Sequence, residues 1–534
     1  TAVTLSEGNL KAVYSPAAWR TTSATFYVSS GKWYWETRNT DNDYHMVGIV
    51  ADSFGTYTNF VGSTADSYSY YNWASSGSAG FKYNNNVPIS YGDQWAAGDI
   101  IGVALDLDAG TIEFYKNNVS QGVAFTGISG TYAPAESFWT SGSIANFGQD
   151  SSFAGNETPQ GNTDDNGQGD FYYAPPSGFL ALTRNNLPAP AITAPDEHFN
   201  TVLWTGDATY PRSITGINFQ PDWIWAKARN QAYHHLLQDS VRGTGSAGLY
   251  SSSTEAEGYY ADNHNITSFD ADGFTFNSTV ATDVLNGSGV TNVAWNWKAG
   301  GTAVSNTDGS ITSQVSANTD AGFSIISFVG NATNGATIGH SLTSRPELVI
   351  FKNRDTARNW QVNYIDGTTR KTLYLNLTAA SSTPSSQQTL PDNTVITLDA
   401  GNDSNENGDN IICYAFHSVE GYSKIGSYTG NGSATDGTFV HCGFRPSFIM
   451  IKCTSGTSNW LIRDVKRDTY NQSVTPLAPN LSAAESSFSA TLNETDILSN
   501  GFKLRDNYGD QNGSGQTYLF IAFAEAPFKN ANAR

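Results

Sequence analysis

The chain has 534 residues, a net charge of −20 and a pI near 4.6, yet only 14% of its side chains are charged. This balance excludes nucleic acid as a partner, because a phosphate backbone needs clustered Lys and Arg. No run of about 20 apolar residues is present to span a membrane, and three cysteines, Cys413, Cys442 and Cys453, cannot make a disulfide framework.

Glycine is abundant, with 51 residues against 18 prolines. That composition predicts an all-β protein of short strands and tight turns, because glycine supplies the positive φ that such turns need. The first residues, TAVTLSEGNL, lack a charged-then-apolar signal layout and an initiator Met. The numbered chain is therefore expected to start after processing or inside a longer product.

The first predicted elements are GKWYWET (Gly31–Thr37) and MVGIV (Met46–Val50). In GDIIGVALDLDAGTIEFYKNN (Gly98–Asn118), Ile101, Val103, Leu105 and Leu107 alternate with small or polar residues, which is a strand with one buried face. Asp108-Ala109-Gly110 is the turn, and Ile112 and Phe114 resume the alternation, so the segment is a hairpin. These motifs, in this order over residues 1–155, resemble the SPRY domain, a β-sandwich interaction module. The resemblance implies binding through variable loops at one end of the sandwich and no catalytic residues. The stretch Phe54–Trp73 reads as such a loop, and its Tyr57, Tyr68, Tyr70, Tyr71 and Trp73 are the candidate ligand-binding residues. The alternative is that most of these rings pack on the sandwich.

Residues 156–197 break the pattern. They are rich in Asn, Asp, Gly and Pro, and they read as an extended linker with no helix.

Beyond it, one phrase occurs three times: FQPDWIWAK (Phe219–Lys227), SRPELVIFK (Ser344–Lys352) and FRPSFIMIK (Phe444–Lys452). A Gly precedes each Pro by 15 or 16 residues (Gly206, Gly330, Gly430), and a Lys follows each Pro by six. Each unit ends in an apolar strand, around Ala294, Ala415 and Ala522, behind a Gly-containing turn. Three small β-domains are expected at 198–303, 322–421 and 422–534, with a Ser/Thr-rich connector at 304–321. The Pro should mark the start of a central strand buried on both faces, and the Lys its exit to solvent. The whole order, SPRY unit, LPAP-type linker and triplicated unit, resembles a group of tailed-bacteriophage proteins common among marine phages. That resemblance implies a virion structural protein of the tail fibre or surface appendage kind. Other virion proteins and a host-surface glycan or protein would be its partners, and a homotrimer its assembly.

Sequence alone places no catalytic set and no cofactor. Gly243, Gly245 and Gly248 satisfy G-x-G-x-x-G, but no apolar helical stripe follows them to receive a pyrophosphate. Asp403-x-Asn405-x-Asn407-Gly408 opens like a calcium loop, but Tyr414 occupies the place of the closing carboxylate. A looser calcium site from Asp403, Glu406 and Asp409 is the one metal candidate. The competing readings are an adhesive appendage protein, a capsid decoration without ligand, and a polysaccharide depolymerase.

Overall fold

The computed structural model describes residues 3–42, 44–55, 57–73, 79–244, 248–259, 265–277, 285–384, 389–487 and 494–531. It divides into two compact units, Thr1–Pro188 and Ala189–Arg534, each built of antiparallel strands. Among the described residues, helix is confined to single turns, such as Asn402–Asn405, and no helix is long and apolar enough to cross a membrane.

The first unit is a sandwich. One sheet runs Thr4–Ser6, Lys11–Val13, Gly142–Asn146, Lys32–Asn39, Ile100–Asp106, Thr111–Lys116, Val119–Thr126. The other runs Arg20–Ser23, Tyr132–Phe138, His45–Ala51, Ser67–Tyr71, Ala79–Asn84, Val87–Asp93. Trp33, Trp35, Val47, Ile49, Tyr70, Ile101, Val103, Leu105 and Phe114 fill the space between them. The strand Ile100–Asp106 was expected to bury one face, but it buries both. Its outer face is covered by the segment read as a linker. Phe171 packs on Tyr34 at 5.3 Å, Ala181 joins the same cluster, and Leu180–Ala181 adds a short parallel strand to Lys32–Asn39. The buried Glu36 carboxylate fixes this segment by accepting the backbone N–H groups of Tyr172 (2.9 Å) and Tyr173 (2.7 Å). Residues 156–188 are therefore part of the first unit. Two turns of 3-10 helix, Arg184–Asn186 and Pro195–Glu197, fall where no helix was expected.

The second unit contains three main sheets. In the first, Phe199–Thr205, Thr291–Trp297, Trp223–Ala228 and Leu236–Asp239 lie side by side in that order. The second places Phe323–Val329, Asn410–Phe416, Leu348–Asn353 and Gln361–Asp366 in the same order, and the third places Ser423–Thr429, Thr517–Pro527, Phe444–Cys453 and Trp460–Asp464 likewise. The connector at 304–321 contributes two further strands, Val304–Asn306 and Ser313–Asn318, to the edge of the second sheet. Each main sheet buries one face under its own small sheet. The other faces meet in one common core, where Trp223 stacks on Tyr414 at 4.3 Å and Phe199 on Phe523 at 5.1 Å. Each segment thus has a core of its own under its small sheet and shares a further one, filled by aromatic side chains from all three.

The recurrent residues have physical causes. At Gly206, Gly330 and Gly430 a Cβ would lie 2.2, 2.2 and 2.4 Å from the carbonyl oxygens of Gly287, Glu406 and Gly513, so only glycine fits. Asn286, Asn405 and Asn512 each accept the backbone N–H of the residue after that glycine, at 3.1, 2.9 and 3.1 Å. Pro221 and Pro346 precede their strands, but Pro446 lies inside Phe444–Cys453 at a break in register, where a bulge tolerates the missing N–H.

The lysines do not exit to solvent. Lys227, Lys352 and Lys452 are all fully buried. Their ammonium groups donate to backbone carbonyls: Lys227 to Gln231 (3.0 Å), Lys352 to Arg358 and Thr254 (both 3.1 Å), Lys452 to Ser458 and Thr378 (both 2.9 Å). Burial pushes each of them down to about 8.

Thr254 and Thr378 belong to the preceding segment, and such contacts continue around the unit. Trp360 Nε1 donates to the Tyr250 carbonyl at 2.9 Å, and Trp460 Nε1 to that of Tyr374 at 3.0 Å. The circle closes where Trp295 Nε1 donates to Asp464 at 3.0 Å and Ser251 to the Pro479 carbonyl at 2.8 Å. Two junctions carry charge: Glu257 binds Arg242 and Arg354 at 3.0 and 2.6 Å, and Glu485 binds Arg229 and Arg467, both at 2.9 Å. At the third, the Ser381 N–H and hydroxyl donate to the Thr454 carbonyl at 2.9 and 3.0 Å.

Candidate functional site

Strand ends at one end of the first unit surround a cleft of about 500 Å³, lined by Asn42, Tyr44, Asn72, Trp73, Asp93 and Trp95 with Gln94, Ala96, Asp99 and Lys116. Asn42 and Tyr44 lie between the strands Lys32–Asn39 and His45–Ala51. Asn72 and Trp73 follow Ser67–Tyr71, and Asp93 ends Val87–Asp93.

Backbone hydrogen bonds set the frame. Asn72 Oδ1 accepts the His45 N–H at 3.0 Å, and Asn42 Oδ1 accepts that of Ala97 at 2.9 Å. Asp99 accepts the Ala96 N–H at 2.8 Å and Asn117 Nδ2 at 2.7 Å, and it lies 3.6 Å from Lys116. Lys116 donates to the Gln94 carbonyl at 2.7 Å. The Asp93 backbone is pinned by Gln121, at 2.7 Å from its N–H, and by the Tyr70 hydroxyl on its carbonyl. Among the described residues, the exposed Asp93 carboxylate has no hydrogen-bond or ion-pair partner.

The walls are aromatic. Trp73 is 39% exposed and meets Tyr44 edge-on at 5.5 Å. Trp95 is buried, its ring 5.1 Å from that of His45, and among the described residues its indole N–H has no acceptor. His45 in turn pairs with Glu136 at 2.9 Å. Burial opposes charge on Glu136, but His45 and Ser143 outweigh it and hold the carboxyl below its usual range. The Trp95 wall of the cleft is thereby backed by a buried His45–Glu136 hydrogen bond.

The family model described as "Domain of unknown function (DUF7483)" matches residues 194–527. The chain belongs to the DUF7483 family. The SPRY domain model matches residues 32–150, so the sandwich that carries the cleft is an SPRY domain. The chain is 35% identical over 116 residues to the E3 ubiquitin-protein ligase RKP of Arabidopsis thaliana, covering 21% of this chain and 8% of that protein. It is 27% identical over 190 residues to the ATP-dependent RNA helicase DDX1 of Xenopus laevis, covering 36% of this chain and 21% of that one. The chain thus spans a small part of either relative. Among solved structures, a human SPRY domain aligns over 27% of this chain and 94% of its own, with 18% identity and a TM-score of 0.24. The SPRY domain of human HERC1 aligns over 27% and 92%, with 18% identity and a TM-score of 0.23.

Of the five aromatic residues singled out in the SPRY domain, only Trp73 lines the cleft. Tyr68, Tyr70 and Tyr71 lie on the strand Ser67–Tyr71, not on a loop. Tyr70 is fully buried in the core, and Tyr68 packs against that core with its ring 5.1 Å from Phe125. Tyr71 is buried on the opposite face, 5.9 Å from Trp19 and 6.2 Å from Trp73. Tyr57 is exposed, but it sits against Phe54 and Ser23 and does not line the cleft. Tyr44, Asp93, Trp95, Asp99 and Lys116 were missed. Their signal is positional, since each lies at or just beyond the end of a strand on the same side of the sandwich.

In the DUF7483 region the calcium candidates have other work. Glu406 forms a two-pronged pair with Arg358 (2.8 and 2.6 Å). Asp409 accepts Asn353 Nδ2 and Thr356 Oγ1 at 2.9 and 2.8 Å. Asp403 accepts the Asn359 N–H at 2.9 Å, as Asp510 accepts that of Asn459 at 3.1 Å. Their oxygens are engaged by the chain itself, and no group of three metal-ligating side chains occurs among the described residues. Of the glycine motif, Gly245 lies outside the described residues; Gly248 is followed by the short strand Leu249–Tyr250, not by a helix. The three cysteines are buried thiols outside any disulfide.

Proposed function

We propose that this chain is a non-enzymatic virion structural protein of the tail fibre or surface appendage kind, in which the SPRY domain binds a host-surface receptor. The cleft carries this reading. It presents an exposed tryptophan, a half-buried tyrosine and an unpartnered carboxylate on a frame fixed by backbone hydrogen bonds, the chemistry of recognition. Among the described residues its lining has no His, Cys or Ser to act as base or nucleophile, and Asp99 is occupied by donors of its own domain, which weighs against a depolymerase. We further infer that the three main sheets of the DUF7483 region are copies of one ancestral unit, since their strand order and buried Gly, Asn and Lys recur together. Such a body suits a scaffold assembled with other virion proteins, as a homotrimer on the resemblance to phage appendages.

Immunogold electron microscopy of intact virions, with antibody to the purified chain, tests this reading. Gold at tail tips, with saturable binding of the chain to host cells, is the expected result. Gold spread over the head without cell binding would replace it by capsid decoration, and clearing of host polysaccharide would replace it by an enzyme.

A further inference from the structure

The composition of the cleft goes further than binding in general. Three aromatic rings, Tyr44, Trp73 and Trp95, share its lining with two carboxylates, Asp93 and Asp99. The cation that lines it, Lys116, is already engaged by the Gln94 carbonyl and by Asp99. Among the described residues the Asp93 carboxylate has no such partner, and the chain as a whole carries −20. Aromatic faces beside an uncompensated carboxylate favour a cation: the ring quadrupole attracts it, and the acid pairs with it. An anionic ligand would meet repulsion from both.

Two further features narrow the class. Asp93 ends the edge strand Val87–Asp93 with its N–H and carbonyl already held by Gln121 and Tyr70, so its carboxylate, and not its main chain, is what it offers a ligand. A planar guanidinium can lie flat on an indole while its fork meets a carboxylate, which a compact ammonium does less well. The volume of about 500 Å³ suits one such side chain with part of its backbone.

We propose that this cleft receives an arginine side chain presented by a partner protein, stacked on Trp73 and paired with Asp93. The proposal rests on the reading of the SPRY domain as a binding module and names the chemistry of its ligand.

The test titrates the full chain with the tripeptide Ac-Gly-Arg-Gly-NH2, followed by tryptophan fluorescence and calorimetry. Ac-Gly-Gln-Gly-NH2 and methyl α-glucoside serve as neutral probes. The arginine peptide should bind saturably and more weakly at high salt. Asp93→Asn, a change of one atom at an exposed site, should weaken it about five-fold or more. Trp73→Ala should abolish it, and Tyr57→Ala, outside the cleft, should leave it unchanged. Equal binding of the glutamine peptide, indifference to Asp93→Asn, or no saturation at all would overturn the proposal. Saturable glucoside binding lost in Trp73→Ala would also overturn it, while leaving the cleft as a receptor site of another chemistry.

Discussion

The ammonium of Lys452 donates to the carbonyl oxygen of Thr378 at 2.9 Å, from the third main sheet to a residue between two strands of the second. The same group caps the Ser458 carbonyl. Replacing it with Met would fill the space but leave buried carbonyls without a donor. Lys452→Met should lower stability by about 2–4 kcal/mol, read as a shift of the urea midpoint. An unchanged midpoint would mean that the carbonyls find other donors.

The charged and neutral junctions should respond differently. Arg467, nearly without exposure, lies between Asp464 and Glu485. Arg467→Met would take the cationic partner from Asp464 and one of two from Glu485 and should cost about 3–5 kcal/mol. Ser381→Ala removes one neutral donor at the corresponding place and should cost about 1 kcal/mol. Thermal unfolding of the two variants side by side decides whether charge carries the difference.

Gly330→Ala tests the close approach of two chains. Its new methyl group would sit 2.2 Å from the Glu406 carbonyl oxygen, so the turn before Asn410–Phe416 must move. A loss of several kcal/mol is expected, against about 1–2 kcal/mol at Gly367, where nothing lies within 4 Å and only a positive φ is strained. Similar melting temperatures for the two variants would contradict the packing argument.

Glu36 should give the SPRY domain a pH dependence. Burial pushes its carboxyl up to about 7, against four donors that pull it down. Between the unfolded value of 4.5 and about 7, the folded state holds a proton that the unfolded state has lost. Its contribution to stability therefore falls as pH rises through that window, by about 3 kcal/mol. Urea unfolding from pH 4.5 to 8 should show this slope, and Glu36→Gln should remove about one proton's worth of it.

Much of this was legible in the sequence. The hairpin motif placed the strands around Ile101 and Ile112, and the runs WIWA, LVIF and FIMI are buried on both faces. What failed was any inference that needed a neighbour. A lysine after an apolar strand reads as an exit, whereas each ammonium is held by a carbonyl four or six residues on and, in two of the three, also by Thr254 or Thr378 of the preceding segment. Residues 156–188 have the composition of a linker, but Glu36, far upstream, supplies the acceptor their backbone needs. Tyr70 and Tyr71 are adjacent and chemically alike, yet the strand sends one into the core and the other outward. The cleft itself joins residues from Asn42 to Lys116, and no local pattern announces such a set.

The closure of the second unit bears on how the chain is made. Trp295 reaches Asp464 and Arg229 reaches Glu485, across 169 and 256 positions of sequence. Until the last segment leaves the ribosome, the aromatic face bearing Trp223, Trp295 and Trp297 has no complete cover. Pairings of such separation form slowly, and an uncovered face of this kind invites association with other nascent chains. Chains truncated after the second main sheet should therefore accumulate in aggregates, and productive folding should await the release of the finished polypeptide.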